Sequence, residues 1–254
     1  MPPRVSRALI YALLPTTGLV AWCLATQWQW VRPLFLPHPL DVIEAADRLY
    51  ETGALWDNAT ASTLRILWGF LLTFAFAFPV GALMGLSESG RRLVQPLNSL
   101  FRYMPFPAFV PLLILWFGIG TTTQISVIFV GTFFQLAVLI QNAFSDIHEE
   151  YVETARSLSF SPARMFISVE LPAALPQCYD AVRTAIGWAW TCLIVAEMVG
   201  ASDGLGYMII VAQRFLKTPE VFVGILVIGL IGLTIDLFLA AARPYVVPWA
   251  SQIR

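Results

Sequence analysis

Glu149, Glu150 and Glu153 make the densest acidic group of the chain, within the run Glu149-Glu150-Tyr151-Val152-Glu153-Thr154-Ala155-Arg156-Ser157-Leu158-Ser159. Carboxylates three and four residues apart share one face of a helix. Such a face can accept charge-assisted hydrogen bonds from a basic partner, and the same spacing also describes a solvated helix face. Arg102, Arg183, Glu197 and Asp236 are ionisable residues inside apolar runs. A charge there is costly, so it faces a protein interior or a water-filled cavity. Arg102 would attract an anion, and Gln135 with Asn142 would offer neutral hydrogen bonds along a path. For each of these residues the competing reading is an interhelical tie or a span-end side chain reaching for the interface.

Other chemistries find little support. Cys23, Cys178 and Cys192 form no C-x-x-C pair and lie in or beside apolar runs, so they read as small core residues and no metal site is expected. A phosphate-cradling Walker loop needs Gly-Lys followed by Ser or Thr. The single lysine, Lys217, follows Leu216, so the chain carries no such loop. The net charge of −1 and scattered arginines offer no basic face for nucleic acid.

The elements that position these residues belong to a membrane. With 58% hydrophobic and 12% charged residues and a mean hydropathy of +0.73, the chain is too apolar for a soluble surface. A helix needs about 20 apolar residues to cross a bilayer, and six runs qualify: about 8–26, 62–86, 93–118, 123–143, 177–200 and 221–242. The first resembles a signal peptide, with Arg4 and Arg7 before it and Cys23-Leu24-Ala25 like a cleavage site. Its length favours an uncleaved span over a signal's apolar stretch of about 7–15 residues. The fold class expected is therefore an all-α membrane protein of about six transmembrane helices, with residues 1–254 a single transmembrane domain.

Placing both termini in the cytoplasm puts eight arginines inside (4, 7, 91, 92, 156, 164, 243 and 254) against four basic residues outside (Arg32, Arg48, Arg214 and Lys217). Arg65, Arg102 and Arg183 sit at or inside span ends. The Glu153 loop then faces the cytoplasm, and His38 and His148 fall on opposite sides, which disfavours an intramembrane enzyme. Internal repeats or charged relays that would mark a channel or secondary transporter are not evident. Between the first two spans, Val42, Ile43, Ala46, Leu49 and Tyr50 recur at helical spacing and predict a helix along the outer surface. The sequon Asn58-Ala59-Thr60 reads as chance. The nine tryptophans are mostly interfacial anchors; Trp188 and Trp190 point to different sides of one helix, so no aromatic cage is expected.

In the polar loop, residues 149–158 predict a short helix, and Ser161-Pro162 predicts the start of a second, a side-chain cap before a residue whose missing N–H costs nothing there. Downstream stand Val169, Leu171 and Pro172. This loop resembles the cytoplasmic coupling loop of ABC-importer permeases. The family pattern is Glu-Ala-Ala, three residues, Gly, nine residues, an aliphatic, any residue, then Leu-Pro. Glu153, Ala155, Val169, Leu171 and Pro172 match it in register, with Thr154 for the first Ala and Ser159 for the Gly. A serine in the left-handed backbone that glycine takes at such a joint costs about 1 kcal/mol.

From about residue 37 to 209 the chain resembles the permeases of nitrate, sulfonate, taurine and bicarbonate importers. The resemblance is carried by Ser62-Thr63-Leu64-Arg65, Pro105-x-x-Ala108-x-x-Pro111-Leu112, Leu115-Trp116-Phe117-Gly118-Ile119-Gly120, Ala196-Glu197 and Gly204-Leu205-Gly206-Tyr207. It implies a type I ABC-importer permease in a bacterial inner membrane: a homodimeric pore, two cytoplasmic ATPase subunits that bind ATP and Mg, and an external substrate-binding protein. The chain itself would bind no cofactor. Residues 149–172 would be the coupling loop, and Glu197 would lie near the external gate. The Leu-Trp-Phe-Gly-Ile-Gly segment leans toward the sulfonate and taurine branch. Nitrate, bicarbonate, an aromatic acid or a vitamin precursor are the alternative solutes. Gly204 and Gly206 read as a tight turn rather than a phosphate cradle.

Overall fold

A computed structural model describes residues 4–251, and among them every regular element is helical. In chain order these are α1 (Arg4–Gln27), α2 (Pro39–Glu51), α3 (Ala54–Leu86), α4 (Glu88–Tyr103), a 3-10 turn (Phe106–Phe109), α5 (Val110–Phe117), α6 (Thr121–Ser145), α7 (Glu149–Ser157), α8 (Pro162–Met165), a π turn (Phe166–Glu170), α9 (Leu171–Gly200), α10 (Leu205–Arg214), α11 (Thr218–Val246) and a 3-10 turn (Pro248–Ser251).

Four described helical runs are long and apolar enough to cross a membrane: α3, α6, the continuous run Pro162–Gly200, and α11. A fifth exists if α4 and the Phe106–Phe117 segment, bent by 88° from one another, form one span. The expected span 8–26 falls on α1, where the side chains of residues up to 12 and of 14 and 15 lie outside the described part, as do Arg254 and the chain ends.

Two boundaries differ from the sequence expectation, and one expected break is found. α3 begins at Ala54, eight residues before the apolar run; within this polar start Asn58, Thr60 and Thr63 satisfy their side chains on the carbonyls of Ala54, Trp56 and Ala59. The predicted span 93–118, interrupted by proline in the sequence, is broken at Met104, whose ψ of 131° is extended. A residue before proline is pushed out of the α region, and Pro105 follows. The predicted span 177–200 belongs to a helical run that starts at Pro162.

α3 and α6 form the most extensive helix pair. They approach closely because glycine lines the seam. A Cβ on Gly81 would stand 2.6 Å from the Ala137 carbonyl oxygen, and one on Gly69 2.9 Å from Ile128. Small residues at such a seam let the helices gain dispersion contact where lipid provides no hydrophobic drive. Ile66, Phe70, Ile128, Leu136 and Ile140 fill the core on one side, and Ala185, Ala189 and Leu193 of α9 close it on the other.

The predicted surface helix is α2, capped by His38 and Asp41 in a reciprocal box. Its buried face is Val42 and Ala45, packed with Val223 of α11, whereas Ile43 and Tyr50 are exposed. The helical spacing was right in period and broader than the face actually buried.

Candidate functional site

Three arrangements hold the chain's unusual polar groups. The first is the elbow after α7. Ser159 has φ +57°, the left-handed conformation. The Phe160 N–H donates to the Ala155 carbonyl at 3.2 Å and the Ser159 N–H to the Arg156 carbonyl at 2.9 Å. These two bonds are the Schellman closure of a helix C-terminus, so serine holds the geometry that glycine would take without strain. Ser161 then caps the next helix, accepting from the Arg164 N–H, and Pro162 stands in its first turn. Arg164 lies 4.3 Å over the Phe160 ring and braces the joint.

The second helix of the elbow is not short, as the sequence suggested. It continues through the π turn into α9. Pro172 explains the change of pitch: it lacks the N–H that would reach the Ser168 carbonyl, and its ring would crowd that oxygen. Widening the turn by one residue over Phe166–Glu170 moves the carbonyl aside. Leu171-Pro172 therefore marks a relaxed pitch within a helical run of 39 residues.

On α7, Glu149, Glu150, Glu153 and Thr154 are exposed and Ala155 is buried. Behind the acidic face lies a groove of about 320 Å³ between α7 and the following run, lined by Tyr151, Ala155, Leu158, Phe160 and Val169. Replacing Ser159 with glycine is expected to relieve about 1 kcal/mol of backbone strain. Hydrogen exchange of the amides from 155 to 161 should slow by about fivefold. Unchanged or faster exchange would show that the left-handed serine is not strained.

The second arrangement lies at the opposite end of the bundle, where α3, α9 and α10 meet. Glu197 is fully buried, and Ser62 and Arg65 beside it are 0% and 5% exposed. Ser62 Oγ is 2.8 Å from Glu197 Oε1, Arg65 Nη1 donates to the same oxygen at 2.7 Å, and the Gly206 N–H donates to Oε2 at 2.9 Å. Arg65 also reaches the Asp203 carbonyl at 3.1 Å and pairs with the Asp203 carboxylate. The Leu205 N–H donates to Ser62, and the Gly204 N–H to Asn58 Oδ1 at 2.7 Å. Gly204, at φ +106°, makes the expected turn, and a Cβ on it would stand 2.3 Å from Glu197 Oε1. Glu197, expected along the path, is thus consumed in an interhelical lock. Asn58, whose sequon read as chance, is part of it.

The third is a cavity of about 630 Å³ beside the α4 break. Arg102 and Gln135 both line it, with Thr184 and Trp188 from α9. Arg183 and Asn142, also expected on the path, are not among the residues that line this cavity. Arg183 pairs with Asp236 of α11 at 2.6 Å, parallel to an Asp180–Arg243 pair at 3.0 Å, and Asn142 is exposed away from the cavity. Of the two neighbouring tryptophans, Trp188 lines the cavity and Trp190 is buried on the other side of α9. The cavity wall is rich in aromatic rings, most of them from the α4 break and α6.

Residues 77–252 match the family model described as the binding-protein-dependent transport system inner membrane component. The chain belongs to this family. This permease is 34% identical to the taurine transport system permease protein of Escherichia coli (strain K12), over 93% of its own length and 88% of that protein. It is 32% identical to the putative aliphatic sulfonates transport permease protein of Bacillus subtilis (strain 168), over 94% and 87% respectively. Among solved structures, the MetNI methionine ABC transporter in an inward-facing conformation superposes with a TM-score of 0.57 over 70% of this chain and 93% of that one, at 24% identity. An amino acid ABC transporter gives 0.56 over 81% and 96%, at 18% identity. The permease therefore has the type I ABC-importer fold and is a multi-pass component of a bacterial inner membrane. It is a permease subunit of an ABC importer. The motifs at Ser62–Arg65, Ala196-Glu197 and Gly204–Tyr207, far apart in sequence, are the parts of the one buried lock.

Proposed function

We propose that two copies of this permease form the translocation path for a small organic anion of the sulfonate or taurine type, delivered by an external binding protein. Two ABC ATPase subunits, which bind the ATP and Mg, seat on the elbow at residues 149–172 from the cytoplasm. The permease binds no cofactor of its own, and both termini share the cytoplasmic side with the elbow. Glu153 and Thr154 meet the ATPase, Ala155 and Ser159 set the shape of the elbow, and Leu171 and Pro172 join it to the span.

The observation that carries this reading is the unbroken run Pro162–Gly200. A helix of that length spans about 58 Å. It begins at the elbow, supplies Thr184 and Trp188 to the cavity, and ends at the Glu197 lock. Moving the elbow moves the cavity wall and the opposite end as one lever, as rigid-body switching requires. ATP-driven closure of the ATPases would draw the two elbows together and open the path outward.

Mass measurement of the complex purified with its ATPase tests the assembly. A complex of two permeases and two ATPases is expected. Permease that purifies as a monomer without ATPase from cells making both would overturn the proposal.

A further inference from the structure

Two prolines interrupt the backbone ladder of the long run where it leaves the elbow. Pro172 and Pro176 stand one turn apart at the start of α9. Each lacks the N–H that would reach the carbonyl four residues back, and a helix with two such gaps on one face bends there most easily. The π turn moves the Ser168 carbonyl aside. The Pro172 carbonyl is met differently. Trp249, in the 3-10 turn after α11, donates its indole N–H to it at 3.0 Å. The polar edge of this tryptophan is spent on a backbone oxygen that Pro176 leaves without a partner, and not on the membrane interface.

The end of α11 delivers the indole to that place. Tyr179 Oη donates to the Leu239 carbonyl at 2.7 Å, and Arg243 holds Asp180 through two bonds of 3.0 Å. Val247, just before the turn, is buried. Residues 172, 176, 179, 180 and 183 recur at helical spacing, so Leu239, Asp236, Arg243 and Trp249 grip one face of α9. From Pro172 to Arg183 the grip covers about 16 Å of helix. Trp249 and Ala250 also line a small pocket of about 210 Å³ together with His148 and Tyr151 at the start of α7 and the two prolines. The turn therefore sits where the elbow leaves and rejoins the bundle.

We infer that Trp249 is a positioning residue for coupling: by supplying the hydrogen bond that Pro176 removes, it stiffens the run Pro162–Gly200, so that movement of the elbow reaches the far end. Without that bond the run bends at Pro172–Pro176 and the movement is absorbed there. This rests on the run acting as the lever proposed above.

The test follows both ends of the run in the permease–ATPase complex in nanodiscs. In a Cys23→Ala, Cys178→Ala, Cys192→Ala parent, one nitroxide per copy is attached through Ala163→Cys, near the elbow, or Val199→Cys, at the far end, both positions being exposed. Electron-spin distances between the two copies are compared without nucleotide and with ATP and vanadate. In the parent both pairs should move to a new distance. In Trp249→Phe, which keeps a ring and loses the N–H, the Ala163 pair should move as in the parent. The fraction of Val199 pairs that move should fall about two- to fivefold, the effect of one hydrogen bond on a bending equilibrium. Adding Pro176→Ala, which restores an N–H within the helix, should return that fraction to the parent's, a rescue that a packing role for the indole would not show. A Val199 pair that moves fully in Trp249→Phe, or a loss that Pro176→Ala leaves in place, would overturn the inference. So would loss of movement at both ends, which would put Trp249 in the ATPase contact. A parent whose Val199 pair stays still while its Ala163 pair moves would instead remove the lever itself, and the inference with it.

Discussion

Arg65→Met is expected to destabilise the permease by about 3–5 kcal/mol, because it strands the Glu197 carboxylate without its cation in a site that water does not reach. Ser62 and the Gly206 N–H would remain as donors, and two hydrogen bonds from neutral groups do not replace the positive charge of the guanidinium. Glu197→Gln should cost less, since Arg65 keeps Asp203 as a partner and the shape is preserved. The double variant Arg65→Met with Glu197→Gln should recover part of the loss, because no unpaired buried charge remains. Gly204→Ala should act on the same lock by a different route, forcing a Cβ at positive φ into the carboxylate. Melting curves in detergent read all four. Arg65→Met melting with the parent protein would remove the lock from the energetics of the fold.

Glu153→Arg is expected to reduce affinity for the cognate ATPase by about 10- to 100-fold, the equivalent of one charge-assisted hydrogen bond replaced by repulsion. Glu153 is exposed on α7, clear of the Schellman closure that Ala155, Arg156 and Phe160 make. Reversing its charge should therefore spare membrane insertion and the elbow itself. Co-purification and titration of ATPase onto permease in nanodiscs read the change. Undiminished affinity together with undiminished transport would place Glu153 outside the contact.

What the sequence made legible was local chemistry. Ser161 before Pro162 announces a capped helix start wherever it falls, and the α7 terminus with Ser159 needs only the next residue to define its bonds. The break at Met104 was written in Pro105, although a hydropathy window runs across it. The continuity of Pro162–Gly200 was hidden because a polar stretch ending in Leu171-Pro172 reads as the end of a loop, whereas a π turn absorbs the proline. The lock was hidden for a different reason. Ser62 and Glu197 are 135 residues apart, and spacing cannot tell that two polar residues near span ends meet. A hint lay in Ser62 and Arg65 on one face of α3 and in glycines on either side of Leu205, which let the backbone approach a carboxylate.

ATP-dependent uptake in sealed vesicles tests the central claim most directly, that this permease moves solute only when a separate ATPase works on its elbow. Vesicles holding permease, binding protein and ATPase should accumulate labelled sulfonate on addition of ATP. Uptake should fall to background when the ATPase is left out or its Walker lysine is replaced. Solute flux that persists undiminished without ATP hydrolysis would contradict the account.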